Sequence, residues 1–330
     1  MKAFEYAAPT SIDDAVKLLG APNAAALSGG TDLISRMKDY VTSPDRVVYL
    51  KDIKALSGIA GDAKLSGLTI GAGTRLAEIV ANEGVRESYP ALWQATREVG
   101  SPQIRNMATL GGNLLQRPRC WYFRAGHGLL AMKDGKSLVR AGDNRYHAIF
   151  MTDGDALFVN PSSLAVALSA LDAQATITGP KGERTFKIEE LYQVPKRETD
   201  SEFLIGPGEV LTKVMIPAAK GKNASYEARH KQAQDWPLVL ASVNLTMDGD
   251  SVSTAKIVLC GVAPIPWRSA AAERAITGKR LTVETASMAG EAAAQGAAPL
   301  SMNGYKVPLT RTVVKRALLA AIGNRYWEEA

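Results

Sequence analysis

Apolar residues at Ile12, Ala15, Val16 and Leu19 recur at the three- and four-residue spacing that lines one face of a helix. Ser11 stands before them as an N-cap, Asp13 and Asp14 put negative charge in the first turn, and Gly20 closes the segment. The short apolar run Ala24-Ala25-Ala26-Leu27 then enters Ser28-Gly29-Gly30-Thr31-Asp32, after which helical spacing resumes at Leu33, Ile34 and Met37. The order is strand, glycine turn, helix. Arg46-Val47-Val48-Tyr49-Leu50 adds another strand, so residues 1–55 predict a small α/β unit.

A second unit spans 56–217. Leu68-Thr69-Ile70 runs into Gly71-Ala72-Gly73-Thr74, a second glycine-punctuated strand end, and helical patterns follow at 76–83 and 90–99. Ala156-Leu157-Phe158-Val159 predicts a strand, 162–171 a buried helix, and 173–178 and 209–216 further strands. The polar break Pro217-Ala218-Ala219-Lys220-Gly221-Lys222 separates this unit from a third, 222–330. There 226–231, 239–247 and 256–262 predict consecutive strands, turned partly at Asp248-Gly249-Asp250, with helices at 270–276, 283–295 and 310–327. The expected fold class is α+β.

Composition narrows the picture. The chain has 330 residues, 46% hydrophobic and 22% charged, which is globular and long enough for two or three domains. No apolar run reaches the roughly 18 to 20 residues of a membrane helix, and Met1-Lys2-Ala3-Phe4 does not open a secretory signal. Two cysteines, Cys120 and Cys260, make neither a disulfide framework nor a self-contained zinc or iron–sulfur site. Charge is concentrated. Residues 101–150 hold Arg105, Arg117, Arg119, Arg124, Lys133, Lys136, Arg140 and Arg145 against Asp134 and Asp143, which equals the net +6 of the whole chain. Within it, Arg117-Pro118-Arg119-Cys120-Trp121-Tyr122-Phe123-Arg124 interleaves cations with aromatics. Such a cluster suits an interface or the lid over a planar ring better than a nucleic-acid face, since the rest of the chain is neutral.

Conventional catalytic sets are missing. There is no Gly-x-Ser-x-Gly elbow and no His-Glu-x-x-His; Cys260 sits in an apolar run as an inert thiol; His127, His147 and His230 read as structural. What remains is a pair of glycine turns. Ser28-Gly29-Gly30-Thr31-Asp32 ends a strand and opens a helix, the arrangement that aims free backbone N–H groups at an anion. Thr109-Leu110-Gly111-Gly112-Asn113 repeats the hydroxyl, the paired glycines and an amide. Each could be a tight connection and no more. Together they suit one extended ligand with a diphosphate and sugar hydroxyls, such as FAD, whose own chemistry would do the work.

These turns, the opening Met1-Lys2-Ala3-Phe4-Glu5-Tyr6, the Gly71–Thr74 strand end, Asn160-Pro161-Ser162-Ser163 and Gly261-Val262-Ala263-Pro264-Ile265-Pro266-Trp267-Arg268 resemble the FAD-binding medium subunit of molybdenum hydroxylases. That family includes xanthine dehydrogenase, aldehyde oxidoreductase and carbon monoxide dehydrogenase. The resemblance implies a two-subdomain FAD-binding fold of the PCMH, vanillyl-alcohol oxidase-like, type, followed by an antiparallel sheet with helices. It implies FAD as cofactor, a molybdopterin-binding large subunit and a small subunit carrying two-iron two-sulfur clusters. Electrons would pass through FAD to an external acceptor: NAD, a quinone, a cytochrome or dioxygen.

Carried over by residue, Ala26, Leu27, Ser28, Gly29, Gly30, Thr31, Asp32 and Leu33 match the diphosphate loop, with Thr74 beside it. Thr109, Gly111, Gly112 and Asn113 match the second flavin motif, and Leu211 and Arg229 match flavin-lining positions, Arg229 standing where Lys is common. Trp236 is a candidate ring neighbour, with a core or hinge role as the alternative. Ser163 stands where relatives often have Asp, which weakens that contact. Some relatives hold a four-iron four-sulfur cluster on four cysteines after the second motif; here only Cys120 is present, so none is expected, nor any other metal. The competing readings are a free-standing FAD oxidase of the vanillyl-alcohol oxidase type and a nucleic-acid-binding protein. Neither nucleic acid nor a membrane is an expected partner. The expected location is the cytoplasm, with export on a partner's signal as the alternative.

Overall fold

Three sheets follow one another along the chain. The computed structural model describes residues 1–231 and 233–328. In the first sheet the strands Glu5–Ala7, Arg46–Tyr49 and Ala24–Leu27 lie side by side in that order, all parallel. Parallel neighbours need crossovers, and the helices Ile12–Leu19 and Leu33–Lys38 supply them. Ser11 caps the first helix, its hydroxyl accepting from the Asp14 N–H at 3.1 Å, and the buried face of Ala15, Val16 and Leu19 packs with Val48, Ile53, Leu56 and Val210. Val210 belongs to the next sheet, so this helix joins the two.

The second sheet is antiparallel, in the order Ile59–Asp62, Gly67–Gly71, Val210–Ile216, Gln174–Gly179, Gly182–Lys187. Its core includes the helix Ser163–Ala170, buried at every position. A helix without a polar face has no place at a surface. The third sheet, Lys222–Ala228, Val239–Asp248, Ser251–Cys260 and Trp267–Arg268, is an antiparallel meander covered by the helices Ala270–Ile276, Val283–Ala293 and Lys306–Ala321.

Some expectations shift. Residues 156–159 form no strand. Their apolar side chains fill small clusters, Phe158 packing with Phe123, Leu129 and Leu130, while the Leu157 carbonyl accepts from the Ala148 N–H. Burial here comes from side-chain packing, which alternating patterns cannot distinguish from sheet pairing. The strand expected at 226–231 lies at Lys222–Ala228, and the last long helix runs Lys306–Ala321, stopped before Gly323 at φ +81°.

The basic segment after residue 116 is an insertion of short pieces: a helix at Trp121–Arg124, a two-residue hairpin at Met132–Lys133 and Lys136–Ser137, and a helix at Leu138–Ala141. Asn303 and Lys306 fasten its end to the third domain by donating to the His147 carbonyl at 3.1 and 3.0 Å.

Candidate functional site

The strand Ala24–Leu27 stops at Ser28 because the chain must turn sharply, and Gly30, at φ +73°, makes the turn. Gly29 is needed for a different reason. A Cβ there would lie 2.1 Å from the Met107 carbonyl oxygen, so only glycine lets this turn rest on the backbone that leads into the second one. The backbone N–H groups of Gly29, Gly30, Thr31 and Asp32 meet no backbone acceptor among the described residues. Unsatisfied donors in succession at a strand-to-helix turn form an anion cradle.

The second turn is built differently. Thr109 caps the helix Leu110–Leu114, its hydroxyl accepting from the Gly112 N–H at 3.2 Å; the Leu110 and Gly111 N–H groups donate to the Thr74 and Ala72 carbonyls. Its donors are already satisfied, so it contributes clearance. A Cβ on Gly112 would meet only Thr109 Oγ1 within 4 Å and would otherwise stand in open space. The Ser28 and Thr109 hydroxyls touch at 2.9 Å, 81 positions apart in sequence, and hold the two turns together.

Both turns line one cleft made of two joined recesses of about 150 and 250 Å³. Ala26, Ser28, Gly29, Gly30, Leu33, Thr109, Gly111 and Leu211 line the first, Asn113, Ser163 and Trp236 the second, and Thr31, Asp32 and Gly112 both. A two-part space with free N–H donors reaching to where the recesses meet, and hydroxyl and amide side chains along its wall, fits FAD. Asn113 and Ser163 are buried, and Asn113 Oδ1 accepts from the Ser162 hydroxyl at 2.7 Å, leaving its amide N–H groups for a ligand.

Three expected residues lie elsewhere. Leu27 is not on the cleft wall. Thr74 is fully buried, its hydroxyl exchanging hydrogen bonds with the Gly58 backbone, while Gly73 faces the first recess. Arg229 lies in a separate recess, 2.5 Å from Glu98 and 2.9 Å from Glu227; those two carboxylates line the cleft in its place. Burial pushes the Glu227 carboxyl up to about 7, beyond what Arg229 offsets.

Sequence reasoning missed Gln116 and Arg119 on the cleft wall, although both directly follow the second motif. Their significance depends on Asp32. Its carboxylate takes Arg36, Arg119 and Arg124 at 3.1, 3.2 and 2.7 Å and also accepts the Arg117 N–H at 3.1 Å. Burial works to raise the Asp32 pKa; Arg119, Arg124 and Arg36 overcome it and hold the group below the usual carboxylate range. Arg117 pairs with buried Glu202 at 2.6 Å. These arginines of the basic block are thus engaged within the protein, clamping the inserted segment onto the first glycine turn. Arg119 also lies 4.5 Å from the Trp236 ring centre, and burial lowers it to about 10. Cys260 is buried, which pushes its thiol up to about 12. Among the described residues no group of three His, Cys, Asp or Glu side chains is placed to hold a metal ion.

Residues 2–219 match the FAD binding domain in molybdopterin dehydrogenase, and residues 224–321 match the CO dehydrogenase flavoprotein C-terminal domain. The chain is 29% identical to the aldehyde oxidoreductase FAD-binding subunit PaoB of Escherichia coli K12 over 334 residues, 97% of this chain and 99% of that one. It is 28% identical to the carbon monoxide dehydrogenase medium chain of Hydrogenophaga pseudoflava over 326 residues, 96% of each. A solved structure of carbon monoxide dehydrogenase from that organism, lacking the Mo-pyranopterin moiety of its cofactor, aligns with a TM-score of 0.75 at 27% identity, covering 98% of both chains.

Proposed function

The chain belongs to the FAD-binding subunits of the molybdenum hydroxylase family, and from that premise we propose that it is the electron-transfer subunit of a larger complex. The substrate would be oxidised at a molybdopterin centre on a large partner chain, and electrons would arrive from two-iron two-sulfur clusters on a small one. Bound FAD would supply a ring that takes up these electrons and releases them to an external acceptor.

The carrying observation is that two glycine turns from distant parts of the chain close on one cleft through the Ser28–Thr109 contact. The N–H groups of Gly29, Gly30, Thr31 and Asp32 would hold the diphosphate, with Arg36 in the same recess adding positive charge. Gly112 would let the cofactor approach the backbone, while Gly111 lets this turn rest on Ala72. Asn113, Ser163 and Trp236 would hold the sugar-alcohol chain and the ring, and Leu211 would pack against the nucleotide from the second sheet. Arg119, held at Asp32, would form part of the wall against which the cofactor lies.

Purification of the native assembly tests the reading. The expected preparation contains FAD, molybdenum and iron, the last two carried by companion chains, and the isolated flavin-loaded chain oxidises no aldehyde or N-heterocycle. Turnover of such a substrate by the isolated chain, or an assembly with neither metal, refutes it.

A further inference from the structure

A cavity of about 430 Å³ lies on the far side of Trp236 from the cofactor cleft. The two spaces share Arg119, Asp235, Trp236 and Pro237 as a common wall. Its volume falls within the roughly 300 to 1,000 Å³ of small-molecule sites. Aromatic and apolar lining includes Trp121, Phe158 and Leu238, and Tyr146, His147 and His230 also face the space. Trp121 and Trp236 remain 36% and 41% exposed, so a flat ring laid against them would cover aromatic surface that now faces water.

The charges restrict what can enter. Lys306 lies at the buried end, 1% exposed, its ammonium donating to the carbonyls of Tyr146, His147 and Gly261 at 3.0, 3.0 and 2.7 Å. Its donors are therefore satisfied. No salt bridge among the described residues joins it to a carboxylate, and burial pushes its pKa down to about 7. Arg119 is held by Asp32, and Lys231 and Asp235 bring opposite charges. Nothing in this lining resembles the glycine-turn donors that a dinucleotide diphosphate requires. An uncharged molecule with a flat ring fits, since the one fully buried ammonium has its donors taken by carbonyls and gives up its charge near neutral pH.

We propose that this cavity binds a quinone-type electron acceptor, an uncharged planar ring bearing carbonyl oxygens, alongside the cofactor cleft. The inference rests on the function proposed above and names the class of the external acceptor. Each quinone would leave as the hydroquinone after gaining two electrons and two protons, both pairs supplied as the reduced cofactor returns to its oxidised form.

Titration of the FAD-loaded full chain with duroquinone tests this through quenching of tryptophan fluorescence. The ring of that probe is fully methylated, so it does not add to Cys120. Saturable one-to-one quenching is expected, undisturbed by excess NAD. Val159→Phe, which fills the cavity, and Trp121→Ala, which removes one ring wall, should each weaken binding at least tenfold while leaving the flavin absorbance per chain unchanged. Having two variants covers the case in which one fails to fold. Flavin-loaded protein that shows no saturable quenching, or keeps wild-type affinity in both variants, or releases the quinone to NAD, overturns the inference and leaves the flavin assignment standing. Protein that retains no flavin overturns both.

Discussion

Replacing Gly112 with valine separates cofactor fit from folding. The glycine lies inside the helix Leu110–Leu114, where valine is an acceptable helix residue, about 0.5 kcal/mol better than glycine on intrinsic preference. Its Cβ would approach Thr109 Oγ1 to 3.1 Å, a contact relieved by a shift of a few tenths of an ångström, and would meet no other atom within 4 Å. The branched methyls therefore project into the cleft. Crowding a well-fitted space costs about 1–3 kcal/mol. With 1.4 kcal/mol per factor of ten, FAD affinity should fall by about 5- to 150-fold. Fluorescence titration of FAD into flavin-free protein measures this, and thermal melts supply the control. Without flavin the variant should melt close to wild type; with FAD its stabilisation should shrink in step with the weaker affinity. Gly112→Ala, which carries the same Cβ without branches, should fall between the two. If Gly112→Val bound FAD within twofold of wild type, this wall would not face the cofactor.

Other perturbations test neighbouring features. Gly29→Ala places a methyl carbon 2.1 Å from the Met107 carbonyl oxygen and should push the turns apart, lowering both the melting temperature and FAD retention. Asp32→Asn leaves three arginines with one charge fewer between them and should cost about 3 kcal/mol at neutral pH, on the scale of breaking a buried ion pair. Because the Asp32 pKa is lowered on folding, its contribution is present above the ordinary aspartate range and lost as pH falls through the folded value, so wild type and variant should converge in acid melts. Glu227 has the opposite sign. With its folded pKa at about 7, the stability it contributes is complete below the ordinary glutamate range and lost as pH rises through 7, so Glu227→Gln should gain more in melting temperature at pH 8 than at pH 5. Equal gains at both would contradict this.

The first glycine turn was legible in sequence through an abrupt change of periodicity, from strand to helix at Ser28, and the second through its repeat of the hydroxyl and paired glycines at Thr109, Gly111 and Gly112. The meander after residue 222 showed itself in the same way, through alternation and a turn at 248–250. The charge relations could not be read. Arg119 and Arg124 reach Asp32 across some ninety residues, and only the folded path of the insertion shows that one carboxylate gathers them. Arg229 illustrates the converse. Its place in the sequence suggested a flavin contact, but Glu98, on a different element, draws its guanidinium into a neighbouring recess. Residues 156–159 look like a strand because buried irregular chain and buried strand share the same residue types.

The arginine cluster also bears on how the protein matures. Arg36, Arg117, Arg119 and Arg124 gather beside the first glycine turn, and among the described residues Asp32 and Glu202 are the carboxylates that answer them. This local imbalance would be relieved by the doubly anionic diphosphate proposed for that turn. Because the same side chains fasten the insertion to the first glycine turn, the seating of that segment and the loading of the nucleotide would be coupled.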